Sequence, residues 1–331
     1  MLAFASHLVR VEKKPVGRYR DKEQTILTQK QQSALKASLG QFLDQIPFES
    51  LARQIADEHA YQQTDIQSLF DTFANESLVT LDLILTDLDI EHRMLEVGAG
   101  LCLTSLFLKQ EGFSIVALEP ALGGFGIFDH VKNTILKHFS HLKLEVMTEP
   151  AQQLNPPQHG CFDLIFSNYV IEHIPDWRLA LKKMASVLTP EGKMVHSCPN
   201  YTIPYEPHYG TLVFRHFRNF SKRVLLPGGC DLDIWNSLNF ITCHEIKSFC
   251  KTDELNCSFK KELLYLAFKR IGDDPLFKQR HQGLAVTAGA LLISTGLIKL
   301  LKYVPPACAT PLIMEIKNSK TAPASSRDEF C

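Results

Sequence analysis

The chain has 331 residues, of which 45% are hydrophobic and 21% charged, with a formal net charge of −1. This balance excludes a disordered polyelectrolyte and offers no basic excess for nucleic acid. The length suits one catalytic domain with a smaller helical addition.

Nine scattered cysteines with no C-x-x-C pair argue for free thiols in a reducing cytoplasm rather than a disulfide framework or a zinc site. The opening MLAFASHLVRVEKK lacks a leading positive region and a long apolar core, so it does not read as a secretory signal. Cys331 is the final residue and forms no prenylation box.

From about residue 23 to 90 the apolar residues recur at helical spacing. Leu35, Leu39, Phe42, Leu43 and Ile46 share one face, and Leu81, Ile84, Leu85 and Leu88 another. Residues 1–90 are therefore expected to form a helical N-terminal cap. Beyond Arg93, short apolar runs alternate with amphipathic helices, the pattern of βα units and a parallel sheet. Strands are predicted at Met94–Val97, Ser114–Leu118, Leu142–Met147, Asp163–Ser167 and Lys193–Cys198. A helix between the last two opens at Pro175-Asp176, buries Leu181, Met184, Ala185 and Leu188, and stops before Pro190 and Gly192.

The first strand runs through Glu96-Val97 into Gly98-Ala99-Gly100-Leu101-Cys102. Glycines at such a turn let a ligand touch backbone, and the helix that follows supplies free N–H groups. Glu119 lies 21 residues after Gly98 at the end of the second strand, where a carboxylate can accept from both ribose hydroxyls. A nicotinamide oxidoreductase and a methyltransferase share this half-site.

The later chain separates them. Phe162-Asp163-Leu164-Ile165-Phe166-Ser167-Asn168-Tyr169-Val170-Ile171-Glu172-His173-Ile174-Pro175-Asp176, then Leu188-Thr189-Pro190-Glu191-Gly192, then Val195-His196-Ser197-Cys198-Pro199-Asn200 resemble the motifs of class I methyltransferases dependent on S-adenosylmethionine (SAM). The resemblance covers roughly residues 90 to 201 and is nearest to the branch that includes quinone-biosynthesis methyltransferases. It implies an α/β fold: a Rossmann-like sheet of seven strands whose last pair is antiparallel, with Cys257–Lys260 and Leu312–Ile316 as candidates for that pair. A helical C-terminal insertion accompanies the helical cap.

The resemblance further implies SAM as cofactor, with Gly98 and Gly100 beneath it, Glu96 at its methionine end and Glu119 at its ribose. It places Glu149 and Ala151 of the Thr148–Ala151 loop near adenine, although Pro150 interrupts the usual pattern there, and Ser167 and Asn168 among the cofactor contacts. Cys102 stands where the family often has a third glycine. His173, His208 and Tyr209 follow strand ends and are the candidates for catalysis, with His173 able alternatively to orient its turn or pair with Glu172. The histidines show no metal-ligand spacing, and no metal is expected.

The domain expectation is a cofactor core over 91–201, a substrate region over 202–316 that completes the sheet, and a mobile tail over 317–331. Gln282–Ile298 carries no charge over 17 residues. A buried helix is the first expectation there, with membrane-surface and membrane-spanning helices as alternatives. Phe214, Phe217 and Val224 interleave with Arg215, Arg218, Lys222 and Arg223, a basic amphipathic pattern suited to anionic lipid. The expected partner is thus a hydrophobic small molecule or lipid-linked acceptor, methylated on oxygen or carbon, with peripheral membrane contact, no nucleic acid and a cytoplasmic location. The competing readings are a non-catalytic adaptor on the same fold and a nicotinamide oxidoreductase using NAD.

Overall fold

The computed structural model describes residues 27–120, 126–226, 228, 232–273 and 284–319. The segment weighed as a secretory signal and the terminal Cys331 lie outside these residues. Five parallel strands follow one another: β1 (Arg93–Val97), β2 (Ser114–Leu118), β3 (Glu145–Met147), β4 (Phe162–Asn168) and β5 (Leu188–Cys198). A short hairpin, β6 (Tyr205–Glu206) and β7 (Thr211–Leu212), stands apart, and β8 (Leu255–Phe259) and β9 (Leu312–Asn318) close the sheet. The sheet order is β3-β2-β1-β4-β5-β9-β8, with β9 antiparallel to both its neighbours.

Strand order reverses beside β1, so a crevice opens at the carboxyl ends of β1 and β4, where open α/β sheets bind ligands. Being parallel and covered on both faces, the strands are apolar nearly throughout. Met94, Leu164 and Phe166 pack toward the N-terminal helices, while Leu95, Val97 and Ile165 pack toward the opposite helices. Glu96 is the buried acid in the β1 run.

The N-terminal helices are α1 (Gln29–Asp44), α2 (Phe48–His59) and α3 (Gln63–Ile84). Leu35, Leu39, Phe42, Leu43, Ile46, Leu81, Ile84, Leu85 and Leu88 are all buried as their spacing predicts, and they share one core with the strands. The cap is thus packed into the sheet rather than hinged on it. The crevice is flanked by α4 (Leu103–Gln110), α5 (Gly126–His138), the single turn α6 (Pro156–His159) and α7 (Trp177–Ser186). Asp176 caps α7, accepting from the Leu179 N–H at 3.1 Å, where the sequence placed the helix start.

Several boundaries differ from the sequence reading. Leu142 belongs to a 3₁₀ turn, leaving β3 only three residues. The strand β5 begins at Leu188 rather than Lys193, because a register shift between Phe162 and Leu164 lets Leu188 pair with Phe162. Lys317 and Asn318, assigned to the tail, complete β9. Thiols are free at Cys102, Cys198, Cys243, Cys250, Cys257 and Cys308, whereas Cys161 is disulfide-bonded, contrary to the compositional expectation.

The charge-free segment is the largest correction. Three helices, α8 (Arg218–Phe220), α9 (Leu232–Ser237) and α10 (Cys243–Thr252), precede β8, while α11 (Leu263–Asp273) and α12 (Leu284–Ser294), followed by a 3₁₀ stretch, Leu297–Tyr303, are inserted between β8 and β9. Leu291, Leu297, Leu300 and Tyr303 are exposed, so the segment is not the buried helix expected. No helix among the described residues is long and apolar enough to cross a membrane.

Asn200, just beyond β5, ties the two halves together. Its Nδ2 donates to the carbonyls of Ala307 and Ala309 at 3.0 and 2.9 Å, while its Oδ1 accepts from the N–H groups of Thr202 and Cys243, both at 3.2 Å. The residue is fully buried. Replacing it with alanine orphans several backbone groups at once, each costing ~1–3 kcal/mol where water is excluded. Asn200→Ala is expected to lower the stability by about 3 kcal/mol, read as a lower urea midpoint with an unchanged slope.

Candidate active site

The turn after β1 is built from backbone that only certain residues accept. Gly98 and Gly100 have φ of 69° and 54°, and Cys102 follows at 59° as the N-cap of α4. Cys102 therefore adopts the left-handed conformation that a glycine at its position would adopt more readily, and the turn keeps its shape. A Cβ at Gly98 would collide with the Val170 side chain, and one at Gly100 with the Phe73 ring. Val170 follows β4 and Phe73 lies on α3, so the close approach at the turn involves two other elements.

Two carboxylates brace this turn. Glu96 accepts from the Ser105 hydroxyl on α4, a contact buried between strand and helix. Glu119 accepts from the Gly100 N–H at 2.6 Å, while its own N–H donates to the Met147 carbonyl at 2.9 Å. Burial raises both carboxyls, Glu96 to about 8 and Glu119 to about 7, with the Ser105 and Gly100 hydrogen bonds opposing the rise. Lys132 on α5 is buried nearby and paired with Asp129 at 2.9 Å.

The other predicted cofactor residues follow β3 or end β4. Glu149 pairs with His159 of α6 at 2.7 Å, and that hydrogen bond holds its carboxyl below the ordinary value. Ala151 is buried in the core beneath its loop. Ser167 has its hydroxyl within 2.8 Å of the His196 Nδ1, inside the sheet, so its side chain is turned to β5. Asn168, at the end of β4, has a buried Oδ1 with no hydrogen-bond partner.

On the far side of β4, Tyr169 takes φ 55° and donates its N–H to the Ser197 carbonyl at 2.9 Å. A 3₁₀ turn, Ile171–His173, follows. Asn239 braces it, donating from Nδ2 to the carbonyls of Ile171 and Ile174 at 2.7 and 2.9 Å and from its N–H to the Glu172 carbonyl at 2.8 Å. His173 does not pair with Glu172: its Nδ1 lies 2.7 Å from the Ser237 hydroxyl. Burial pushes its imidazole down to about 4, so it is neutral near pH 7.

The strap over residues 201–226 brings His208 to the same place. Its Nδ1 is 2.6 Å from Glu206 Oε1, and the Tyr201 hydroxyl donates to Glu206 Oε2 at 2.5 Å. Burial works against the Glu206 carboxylate, but these hydrogen bonds and the nearby His208 outweigh it and hold the carboxyl below its ordinary value. The His173 and His208 rings lie 5.2 Å apart, edge to face. Tyr209 turns instead toward Trp235, 6.4 Å between ring centroids, within the strap's own apolar cluster of Tyr201, Val213, Trp235, Leu238 and Phe240. The structure thus brings His173 and His208 together and leaves Tyr209 aside.

Sequence reasoning missed Phe73 and Glu76 on α3, Tyr201 and Glu206 on the strap, and Ser237 and Asn239. Glu76, pushed up to about 7 by burial and lowered by His208, lies in electrostatic reach of the strap histidine. Only Glu206 carried a usable signal, since an acid two residues before a histidine in a loop suggests a pair.

A family model described as "Methyltransferase domain" matches residues 52–233. Two uncharacterised proteins of Mycobacterium tuberculosis are 31% identical over 244 residues, covering 71% of this chain and 81% of theirs. A ubiquinone biosynthesis O-methyltransferase of Bradyrhizobium diazoefficiens is 27% identical over 185 residues, 53% of this chain and 63% of its own. Among solved structures, phosphoethanolamine N-methyltransferase 2 of Haemonchus contortus, in complex with phosphomonomethylethanolamine and S-adenosylhomocysteine, aligns at TM-score 0.44 with 13% identity, covering 81% of this chain and 60% of that one.

The raised carboxyls make a stability prediction. Glu96, Glu119 and Glu76 keep their protons to about 8, 7 and 7 in the native chain but titrate near 4.5 when unfolded. The native state therefore binds more protons above pH 4.5, and stability falls as pH rises through 7 and 8. His173 and His196, held down to about 4 and about 3, act in the opposite sense only below about 6.5. Lowering the pH from 8.5 to 6.5 is expected to raise the urea midpoint. Glu96→Gln should flatten that rise by up to ~1.4 kcal/mol per pH unit below 8.

Proposed function

The chain belongs to the methyltransferase-domain family, and we propose that it transfers a methyl group from SAM to an oxygen or carbon of a hydrophobic small molecule or lipid-linked acceptor. It is a SAM-dependent methyltransferase. An oxygen acceptor is favoured by the naming of two relatives, from Bradyrhizobium diazoefficiens and a Caulobacter strain, as ubiquinone biosynthesis O-methyltransferases.

The residues around the glycine turn fit this donor. Glu119 would exchange the Gly100 N–H for the ribose hydroxyls, Glu96 would steady the methionine end through the start of α4, and the unpartnered Oδ1 of Asn168 would accept from the bound molecule. The bound donor supplies a methyl carbon already attached to a good leaving group, so positioning and exclusion of water are the main tasks of the protein. His208, backed by Glu206, is arranged to take a proton from an acceptor hydroxyl. Neutral His173 offers a hydrogen bond at the same spot.

One observation carries the hydrophobic-acceptor reading: the strap that brings His208 to the crevice also exposes Phe214, Phe217, Phe220 and Val224, with Phe217 68% exposed. Arg223 is exposed among them, whereas Arg215 is paired with Glu245 at 3.0 Å and Arg218 lies over the Phe240 ring. A contiguous run of exposed aromatics beside a basic residue suits the surface of an anionic bilayer. The exposed Leu291, Leu297, Leu300 and Tyr303 of the insertion, with Lys299 and Lys302 beside them, support the same reading.

Calorimetric titration with SAM tests the donor site. Saturable binding is expected, weakened roughly tenfold to a hundredfold in Glu119→Ala through loss of charge-assisted hydrogen bonds. No SAM binding by the folded chain would favour the adaptor reading, and NAD binding in its place the oxidoreductase. Flotation with vesicles containing anionic lipid tests the surface. The wild type should float with them, and Phe217→Glu with Phe220→Glu should cut the bound fraction at least tenfold. Equal flotation of both proteins, or none of either, sinks the membrane part of the proposal.

A further inference from the structure

Among the described residues, Cys198, Cys243, Cys250 and Cys257 all belong to the core on one face of the sheet, while Cys102 lies in the opposite one. Burial pushes the thiols of Cys102, Cys198 and Cys243 up. A neutral thiol so placed packs as a small hydrophobe and reacts little. Cys250 and Cys257 are placed differently.

Cys243, Lys247 and Cys250 share one face of α10, at spacings of four and three residues. Leu255, Cys257 and Phe259 alternate along β8 and pack against the core to which Ile246, Phe249 and Cys250 belong. Where helix and strand face each other, Lys247 Nζ lies 5.3 Å from the centre of the Phe259 ring, and the Cys250 and Cys257 sulfurs are in hydrogen-bond contact. Cys257 donates and Cys250 accepts. This contact holds the Cys250 thiol below its ordinary value, against burial and the charge of Asp253, and raises that of Cys257. Asp253 is itself paired with Lys182 at 2.9 Å. Two sulfurs thus share a proton beside the exposed Lys247 ammonium, which favours the anion.

We propose that Cys250 and Cys257 are a redox-active dithiol, oxidised reversibly by hydrogen peroxide to a disulfide that joins α10 to β8. Sulfurs already in contact need no backbone movement to be joined, unlike a pair whose Cβ vectors diverge. Cys250 is buried, whereas Cys257 is half-buried on β8, the end strand of the sheet, and is the sulfur that peroxide reaches. With the shared proton on Cys250, the Cys257 thiolate attacks a peroxide oxygen. The S–O bond forms, the O–O bond breaks, and hydroxide leaves and is protonated to water. The Cys250 sulfur then attacks that of Cys257; the S–S bond forms, the S–O bond breaks, and the departing hydroxide takes the Cys250 proton. Two thiols are oxidised and one peroxide is reduced to two waters. A small thiol reverses the change by exchange.

The bond falls where it bears on the strap. At the other end of α10, Glu245 pairs with Arg215 at 3.0 Å and the Cys243 N–H donates to Asn200 Oδ1 at 3.2 Å. The helix is therefore the foothold of the strap, and the disulfide ties its far end covalently to the sheet.

Peptide mapping by mass spectrometry tests the pair. The full chain is reduced, freed of reductant, exposed to stoichiometric peroxide, alkylated to block the remaining thiols and run on a non-reducing gel, and the monomer band is digested with trypsin. Cleavage after Lys247, Lys251 and Lys260 puts the two cysteines on separate fragments, Ser248–Lys251 and Thr252–Lys260. The expected product is these two fragments linked, lighter than their sum by the hydrogens lost, and separated again by dithiothreitol. Cys250→Ser and Cys257→Ser should each abolish it. The decisive measurement is on the unaltered chain, so the test stands even where a variant fails to fold. Linkage of Cys257 to Cys243 or Cys308, sulfinic acid on Cys257 without a link, or recovery of both fragments fully alkylated overturns the dithiol.

Discussion

The carbonyl of Leu118, the last residue of β2, accepts from both Gly98 and Ala99, at 2.8 and 3.3 Å. This fork holds the turn after β1 against the end of β2. One residue further, Glu119 reaches back to the Gly100 N–H. Strand end and turn therefore constrain each other through three hydrogen bonds over five residues, and the direction of α4 follows from them. Because α4 starts there, Ser105 meets Glu96, and because Gly98 and Gly100 carry no Cβ, Val170 and Phe73 can approach the turn. The placement of α3 and of the segment after β4, and with them the whole rim of the crevice, depends on this one braced reversal.

The same reversal explains why acids gather in an otherwise apolar sheet. Glu96, Glu119, Glu76 and Glu172 all have raised carboxyls, with burial as the leading cause for each. Stability alone would favour apolar side chains at such buried positions, as at Met94, Leu95, Leu164, Ile165 and Phe166 of β1 and β4. Strain and desolvation concentrated at strand ends mark the place where a ligand repays them. The acids also divide by location: Glu96 and Glu119 adjoin the glycine turn, whereas Glu172 and Glu76 lie toward His208. The crevice thus has two chemically distinct ends.

The first of these ends was largely legible in the sequence and the second was not. Strand runs, the glycine turn and Glu119 depend on local pattern, since a parallel strand must be apolar and a tight turn must admit positive φ. The glycine turn and the strands exist where expected, although β3 starts later and β5 earlier than read. Glu76 and Phe73 arrive from a helix whose own periodicity announces only its buried face, and nothing local tells which crevice that face adjoins. Glu172, His173 and His208 meet through two loops, so ligand spacing along the chain carries no trace of the cluster. The insertion between β8 and β9 failed for another reason. An apolar composition reports that a segment avoids charge, and it is silent on whether neighbours exist to bury it. Too few do here, and Leu291 and Tyr303 face outward.

The contrast between the two ends bears on specificity. At the first end, the glycine turn and the carboxyls of Glu96 and Glu119 sit on rigid strand ends. An acceptor differs from one member to the next, so its contacts belong on elements that can change without disturbing the sheet. The strap over residues 201–226 has this character. Its Tyr201 and Val213 pack with Trp235, Leu238 and Phe240 of the segment that follows, in a cluster apart from the two cores of the sheet. It meets the crevice through His208, whose ring lies against His173 of the turn that Ser237 and Asn239 brace. Because Asn200 fixes its root through Ala309 and Cys243, the exposed face of the strap can vary without disturbing the sheet.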